Sequence, residues 1–94
     1  MNLQFDWDEA KAETNIRKHG ISFEEAITVF GDPLAVTIYD VGHSGDEDRF
    51  VNVGHSIGGR VLVVVYAERG EYIHIISCRR ATPAEERQYE QQAS

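Results

Sequence analysis

IISCRRATPAEERQY, residues 75–89, decides the predicted fold, because it reads as an apolar strand that turns directly into a capped helix. The strand ends in the adjacent cations Arg79 and Arg80. Thr82 and Glu85 then form a capping box, with Pro83 at the first helical position. The chain has only nine lysines and arginines against sixteen acidic residues, so this corner concentrates cations. The pattern predicts an anion site, and the arginine fork matches phosphate.

The N-terminal part predicts two helices. Residues 3–5 are a candidate short strand, and a helix over 9–19 follows, capped by Asp6 or Asp8 and ended by Gly20. A second capping box, Ser22-Phe23-Glu24-Glu25, precedes a short helix with an apolar stripe.

The middle of the chain predicts four strands, over 34–39, 50–57, 60–68 and 71–79. Two-residue turns at Gly58-Gly59 and Arg69-Gly70 join the last three of these strands. We therefore expect one α+β domain over residues 1–94: two N-terminal helices, a four-stranded antiparallel meander and a C-terminal helix that ends near Gln92. We expect the helices to pack on one face of the sheet.

Composition restricts the class of function. The net charge of −7 argues against a general nucleic-acid binder and favours a basic partner, although a local cationic pocket stays compatible with it. The single Cys78 excludes an internal disulfide and is expected to be a small buried apolar residue. We find no signal-peptide pattern and no apolar run near 20 residues, which predicts a cytoplasmic protein.

The ordered set of residues resembles the BrnT family of bacterial type II toxins over nearly the whole chain. No single motif is specific; the order of the motifs is. The matching residues are 5–8 (FDWD), Lys11, Asn15, 18–20 (KHG), 22–26 (SFEEA), 32–34 (DPL), 48–50 (DRF), Gly54, 59–65 (GRVLVVV), 75–82 (IISCRRAT), Glu85, Arg87 and Tyr89.

This resemblance implies a RelE-like ribonuclease fold, RNA cleavage that arrests growth, and inhibition by a BrnA-like antitoxin. It also implies that the antitoxin binds DNA and represses the shared operon, so this chain would contact DNA only through its partner. No cofactor and no metal are expected. A homodimer or a heterotetramer with the antitoxin is compatible with so small a domain.

Arg79, Arg80 and Arg60 are the main candidates for stabilising the charge of the transition state. Arg79 and Arg80 point to opposite faces of their strand, with Ile73, Ile75 and Ser77 expected beside Arg79. The strand returns toward the hairpin, so both should lie near Arg60. The alternative is structural: one arginine pairs with Glu85 or Glu86, and the other covers the core with its stem.

Tyr89 and His19 complete the predicted catalytic set. Tyr89 could stack on a base, or it could anchor the last helix on the sheet. His19 could transfer a proton, or it could compensate the helix dipole together with Lys18. Lys18 and Arg87 are the candidate RNA-binding cations. Residues 40–48 contain His43 and several aspartates, but their spacing matches no metal signature and predicts a rim for a cationic partner.

Two functions from different classes therefore stay open. The first is a metal-independent endoribonuclease toxin. The second is a catalytically inactive module that only binds an antitoxin or repressor, which the acidic charge favours.

Overall fold

The α+β class is confirmed by the computed structural model, which describes residues 3–43 and 45–93. The helices are α1 (Glu9–His19), α2 (Phe23–Ile27) and α3 (Pro83–Ala93), with short 3-10 segments at Thr28–Gly31 and Val41–His43. The strands are β1 (Gln4–Trp7), β2 (Val36–Tyr39), β3 (Arg49–His55), β4 (Val61–Arg69) and β5 (Tyr72–Arg80).

The sheet has five strands and is mixed, so the prediction of a four-stranded antiparallel meander was incomplete. The strand order is β1-β5-β4-β3-β2, and β1 pairs with β5 in parallel, Gln4 opposite Tyr72 and Trp7 opposite Ile75. Strands β2 to β5 do form the predicted antiparallel meander. Periodicity marks a strand but not its partner, and the partner of β1 lies at the other end of the chain.

The helices cover both faces of the sheet, so the prediction of a single covered face was wrong. α1 and α2 pack with Leu62 and Val64, whereas α3 places Tyr89 on Val61 and Val63. Strand β4 is buried at Val61–Val64, Tyr66 and Ala67, so its side chains are covered on both faces of the sheet. A strand that is apolar on both faces requires cover on both faces, and the apolar run VLVVV at residues 61–65 indicates such a strand.

A β-bulge changes which β5 residues share a face. Val65 lies opposite Ser77 while Tyr66 lies opposite Ile75, which leaves Ile76 as the extra residue. Consequently Ile73 and Ile75 pack in the α1/α2 core with Cys78, not on the face of Arg79 as predicted. The alternation of side chains shifts by one at an extra residue. The faces predicted for the β5 residues before Ile76 were therefore inverted.

Two turns differ from the predictions, the first in length and the second in position by one residue. The hairpin between β3 and β4 spans five residues, closed by the Ser56 amide on the Arg60 carbonyl at 2.9 Å, with Gly59 at φ 82°. The hairpin between β4 and β5 has Gly70, at φ 59°, and Glu71 as its connecting residues. Both turns keep a glycine where the backbone is left-handed.

Candidate functional site

α1 lies along the part of the β5 edge that β1 does not cover. Beyond Ile75, the Asn15 side chain takes the place of a strand: its Nδ2 donates to the Cys78 carbonyl at 2.8 Å, and its Oδ1 accepts from the Cys78 amide at 3.0 Å. The same Nδ2 donates to the carbonyl of Ile21 at 2.9 Å. Asn15 is buried, so these bonds fix α1 against the sheet in a water-poor setting.

An open cleft of about 440 Å³ lies between α1 and β5. Its lining includes the basic residues Lys11, Lys18 and His19, all solvent-exposed, together with the carboxylate of Asp8 and the hydroxyl groups of Thr14 and Ser77. Lys11 and Lys18 are seven residues apart and therefore share a helix face. Over 3–43 and 45–93, no carboxylate forms an ion pair with these three side chains. Two lysines and a histidine therefore outnumber the single carboxylate among the described residues that line this cleft, on a protein whose net charge is −7.

Three arginines are instead held by glutamates. Arg60 donates to both carboxylate oxygens of Glu25, at 2.9 and 2.7 Å. Arg79 does the same with Glu85, at 2.7 and 2.8 Å. These hydrogen bonds lower the pKa of Glu25 and of Glu85 to about 2 in each case. The pairs are charge-assisted and bidentate, so two N–H donors of each guanidinium already bind a carboxylate.

The third pair joins Arg69 to Glu47, with Nε to Oε2 at 2.7 Å, and half of the Arg69 side chain is exposed. Arg69 is the last residue of β4, so it lies just before the turn at Gly70 and Glu71 and not within the turn itself.

Arg60, Arg79, Arg80 and Tyr89 do not share one face of the sheet. Arg79 and Tyr89 lie on the α3 face of the sheet and line a common groove. Arg60 lies on the opposite face, where its Nη2 reaches the Gly20 carbonyl at 3.4 Å. Arg80 pairs in register with Leu62 of that same face. Because Arg79 and Arg80 are successive residues of one strand, they cannot share a face.

The structure does bring part of the predicted set together. Gly20 follows His19 directly and contacts Arg60, and Arg80 lies two residues after Cys78, which α1 holds through Asn15. Lys18 and His19 therefore lie near the end of the sheet that carries Arg60 and Arg80. Arg80 and Arg87 are exposed, and neither guanidinium has an ion pair within the described ranges. Arg87 lies on α3, away from α1.

Tyr89 anchors α3, as the structural alternative predicted. It is buried, its hydroxyl donates to Asp32 Oδ2 at 2.5 Å, and it lies 3.3 Å from His55 Nδ1. Burial, followed by the Asp32 carboxylate, raises the pKa of Tyr89 to about 12. Glu85 also completes the predicted capping box, accepting from the Thr82 amide at 2.9 Å.

Asp32 was missed as an organising residue. It accepts from Tyr89, from the His55 amide at 2.8 Å and from the Leu34 amide at 2.9 Å. Burial opposes its ionisation, but these hydrogen bonds outweigh it and the pKa of Asp32 is lowered. In the sequence, Asp32 was named as part of the segment 32–34 (DPL) that resembles the BrnT family. A Cβ on Gly54 would lie 2.9 Å from Asp32 Oδ2, so this glycine gives the carboxylate its space.

The remaining candidate groups are inert or isolated. Burial raises the pKa of the Cys78 thiol to about 12, which fits its expected structural role. His43 contacts Asp40 at 3.1 Å, and within the described residues no three His, Cys, Asp or Glu side chains could hold a metal ion. No helix in the same ranges is long and apolar enough to cross a membrane.

Comparison with known proteins assigns the family. A family model described as the ribonuclease toxin BrnT of type II toxin–antitoxin systems matches residues 7–85. The crystal structure of the Brucella abortus ribonuclease toxin BrnT is similar, with 25% identity and a TM-score of 0.67, covering 86% of this chain and 99% of that one. Comparison with curated protein sequences gives no match. The chain therefore belongs to the BrnT ribonuclease toxin family, as its sequence motifs indicated.

Proposed function

We propose that this chain is the growth-inhibiting toxin of its type II pair and cleaves RNA in the α1–β5 cleft without a metal ion. The carrying observation is the distribution of basic side chains: Lys11, Lys18 and His19 are exposed there and have no ion pair with any described residue, whereas Arg60 and Arg79 are held by glutamates. Unpaired cations gain most from a phosphate, because no existing ion pair has to break.

Lys11 and Lys18 bind successive phosphates in this proposal. Residues i and i+7 on a helix are about 10 Å apart along its axis, at about 1.5 Å per residue. That spacing spans more than one nucleotide of an extended strand, so the RNA runs along α1. Ser77 adds a hydroxyl group from β5, whereas the Thr14 hydroxyl already donates to the Ala10 carbonyl at 3.0 Å. Arg80 continues the cationic track at the strand end.

His19 supplies proton transfer. Attack of the 2′-oxygen on the adjacent phosphorus forms a cyclic phosphate and breaks the bond to the 5′-oxygen. One proton leaves the 2′-hydroxyl and one is delivered to the 5′-oxygen. Histidine can perform either transfer near neutral pH, and solvent performs the other. A cation beside the phosphate stabilises the charge that builds on its oxygens.

The antitoxin is a separate protein with a cationic segment in this proposal. The net charge of −7 supports such a partner, since complementary charge speeds association and excludes other acidic proteins. A BrnA-like antitoxin that carries the DNA-binding part fits the family. The assembly would be a heterotetramer or a smaller complex, acting in the cytoplasm where both RNA and the operon lie.

Induction of the chain alone in a bacterial host tests the nuclease directly, with growth and total RNA integrity as readouts. Lys11→Ala/Lys18→Ala/His19→Gln is expected to abolish growth arrest. Arg17→Ala is the matched control, because Arg17 is an exposed α1 cation outside the cleft lining. Loss of toxicity with Arg79→Ala, and not with the α1 variant, would instead place the site on the α3 face.

An inactive binding module is the second candidate, and the paired arginines favour it. Arg60 and Arg79 have both carboxylate oxygens of their glutamates engaged, as expected of structural residues. A soluble, folded chain that neither slows growth nor cleaves RNA would support the module.

A further inference from the structure

β2 is the last strand of the sheet and its outer edge has no neighbouring strand within the described residues. The Asp40 amide donates to the Arg49 carbonyl at 2.9 Å, so the residues whose backbones point toward β3 are even-numbered. Alternation then directs the N–H and C=O groups of Thr37 and Tyr39 outward. These two residues offer the hydrogen-bonding pattern that a further strand requires.

This edge lacks the features that usually protect an exposed strand. Residues 34–39, LAVTIY, contain no charged side chain and no proline. The large hydrophobic side chains here are strongly exposed: Leu34 by 52%, Ile38 by 53%, Tyr39 by 46% and Val41 by 76%. Such a concentration of apolar side chains beside an open edge marks an interaction surface.

The edge is continuous with an apolar groove on the α3 face. Val36 and Ile38 line this groove of about 330 Å³ together with Val51, Val53 and Val65. α3 covers the Tyr89 end and leaves these valines partly exposed. A strand added to β2 would therefore extend the sheet. Every second side chain of the added strand would point to the α3 face and cover the outer wall of the groove.

Charge selects the occupant. The segment over 32–53 carries five carboxylates, Asp32, Asp40, Asp46, Glu47 and Asp48, against the single Arg49. A second copy of the chain would bring two such acidic segments together, which is unfavourable. On the face opposite the groove, Tyr39 holds Asp48 at 3.0 Å, so lysine or arginine suits that side of an added strand.

We propose that β2 accepts an extended segment of a cationic partner polypeptide as a sixth strand. That segment alternates apolar residues, which face Val36 and Ile38, with lysines or arginines, which face Tyr39 and Asp48. The identity of the partner rests on the proposed function, which makes it the antitoxin. Backbone hydrogen bonds to Thr37 and Tyr39 supply affinity, and the alternate side chains supply specificity.

The test uses the complex with the antitoxin encoded beside the toxin gene. Thr37→Pro removes one outward amide while leaving the β3 ladder intact, because that amide does not face β3. Thr37→Ala is the matched control, since it removes the same side chain and keeps the amide. We expect Thr37→Pro to weaken binding about tenfold and Thr37→Ala to change it little.

Amide hydrogen exchange of free and bound chain decides the location. Slowed exchange at Thr37 and Tyr39 in the complex supports the added strand. A complex in which both amides exchange as in the free chain overturns the inference and leaves the nuclease proposal standing. A free chain that already dimerises with these amides protected also overturns it, because a second copy then occupies the edge. Failure to form any complex overturns the antitoxin assignment and this inference together, whereas the growth assay reports separately on the nuclease.

Discussion

The cations on α1 and the arginines at the strand ends have opposite environments in the same acidic protein. Lys11, Lys18 and His19 project from one helix into a solvent-filled cleft and have no carboxylate within ion-pair distance in the described chain. Arg60 and Arg79 are the residues that the sequence made most conspicuous, and each is clamped by a glutamate. The arginines that were the main candidates in the sequence are therefore bound in structural ion pairs, whereas the basic residues of α1 stay available for a ligand.

The difference follows from how each side chain is positioned. Strand-end arginines lie close to the first turns of α2 and α3, where Glu25 and Glu85 already sit for capping and the helix dipole. Lys18 and His19 lie in the last turn of α1, where acidic residues are disfavoured, whereas Lys11 lies in the first turn with Glu9, just after the Asp8 cap. Helix polarity thus separates Lys18 and His19 from the paired arginines, and it does not account for Lys11.

Replacing His19 should have the largest effect on the α1 side of this comparison. His19→Gln is expected to reduce the RNA cleavage rate about 10²- to 10⁴-fold, because proton transfer is lost while size and polarity are kept. Single-turnover cleavage of a short RNA, with thermal unfolding as the control for folding, measures it. Unchanged cleavage would remove His19 from the chemistry.

Removing the two cleft lysines should weaken RNA binding without unfolding the protein. We expect Lys11→Ala/Lys18→Ala to reduce affinity by about tenfold or more and to lower the slope of log affinity against log salt by about 1.4, from roughly 0.7 per phosphate contact. Unfolding free energy should shift by less than about 0.5 kcal/mol, as for most surface changes. Filter binding of a non-cleavable 2′-deoxy analogue across salt concentrations gives the slope. An unchanged slope would show that neither lysine contacts phosphate.

Tyr89→Phe should lower stability rather than cleavage. The change leaves the partly buried Asp32 carboxylate without its phenolic donor, and we expect a loss of about 1–2 kcal/mol in unfolding free energy. Urea unfolding measures it, beside the cleavage rate of the same preparation. A large loss of cleavage with wild-type stability would return Tyr89 to the catalytic set.

Acid should destabilise the chain through the paired glutamates. The folded-state pKa values of Glu25 and Glu85 are lowered to about 2 from the usual 4.5, so their stabilisation is present above pH 4.5 and is lost as pH falls toward 2. Urea titrations between pH 6 and pH 2 should show this loss, and Glu85→Gln should make it shallower. An identical pH profile for the variant would contradict the assigned role of the Arg79 pair.

Local features of the fold were readable from the sequence. The bounds of α1, its Asp8 cap and the left-handed Gly20 matched prediction, because a cap, a helical pattern and a glycine stop lie within one short window. The Thr82–Glu85 capping box was predicted for the same reason.

Features that depend on distant pairing were not readable. The parallel β1–β5 pair joins opposite ends of the chain, and the extra residue Ile76 reverses the faces of β5 without a local signal. The clamps of Arg60 by Glu25 and of Arg79 by Glu85 decide which cations stay available. The sequence suggested the second pair as an alternative, but the first joins residues 35 positions apart, and no pattern of spacing could reveal it.

The most direct test of RNA binding at the α1–β5 cleft is residue-resolved chemical-shift mapping with a non-cleavable 2′-deoxy oligonucleotide. The account predicts that the amides of Lys11, Thr14, Lys18, His19 and Ser77 shift on titration, while those of Arg79, Glu85 and Tyr89 do not. Shifts confined to the α3 face, with α1 unaffected, would contradict it.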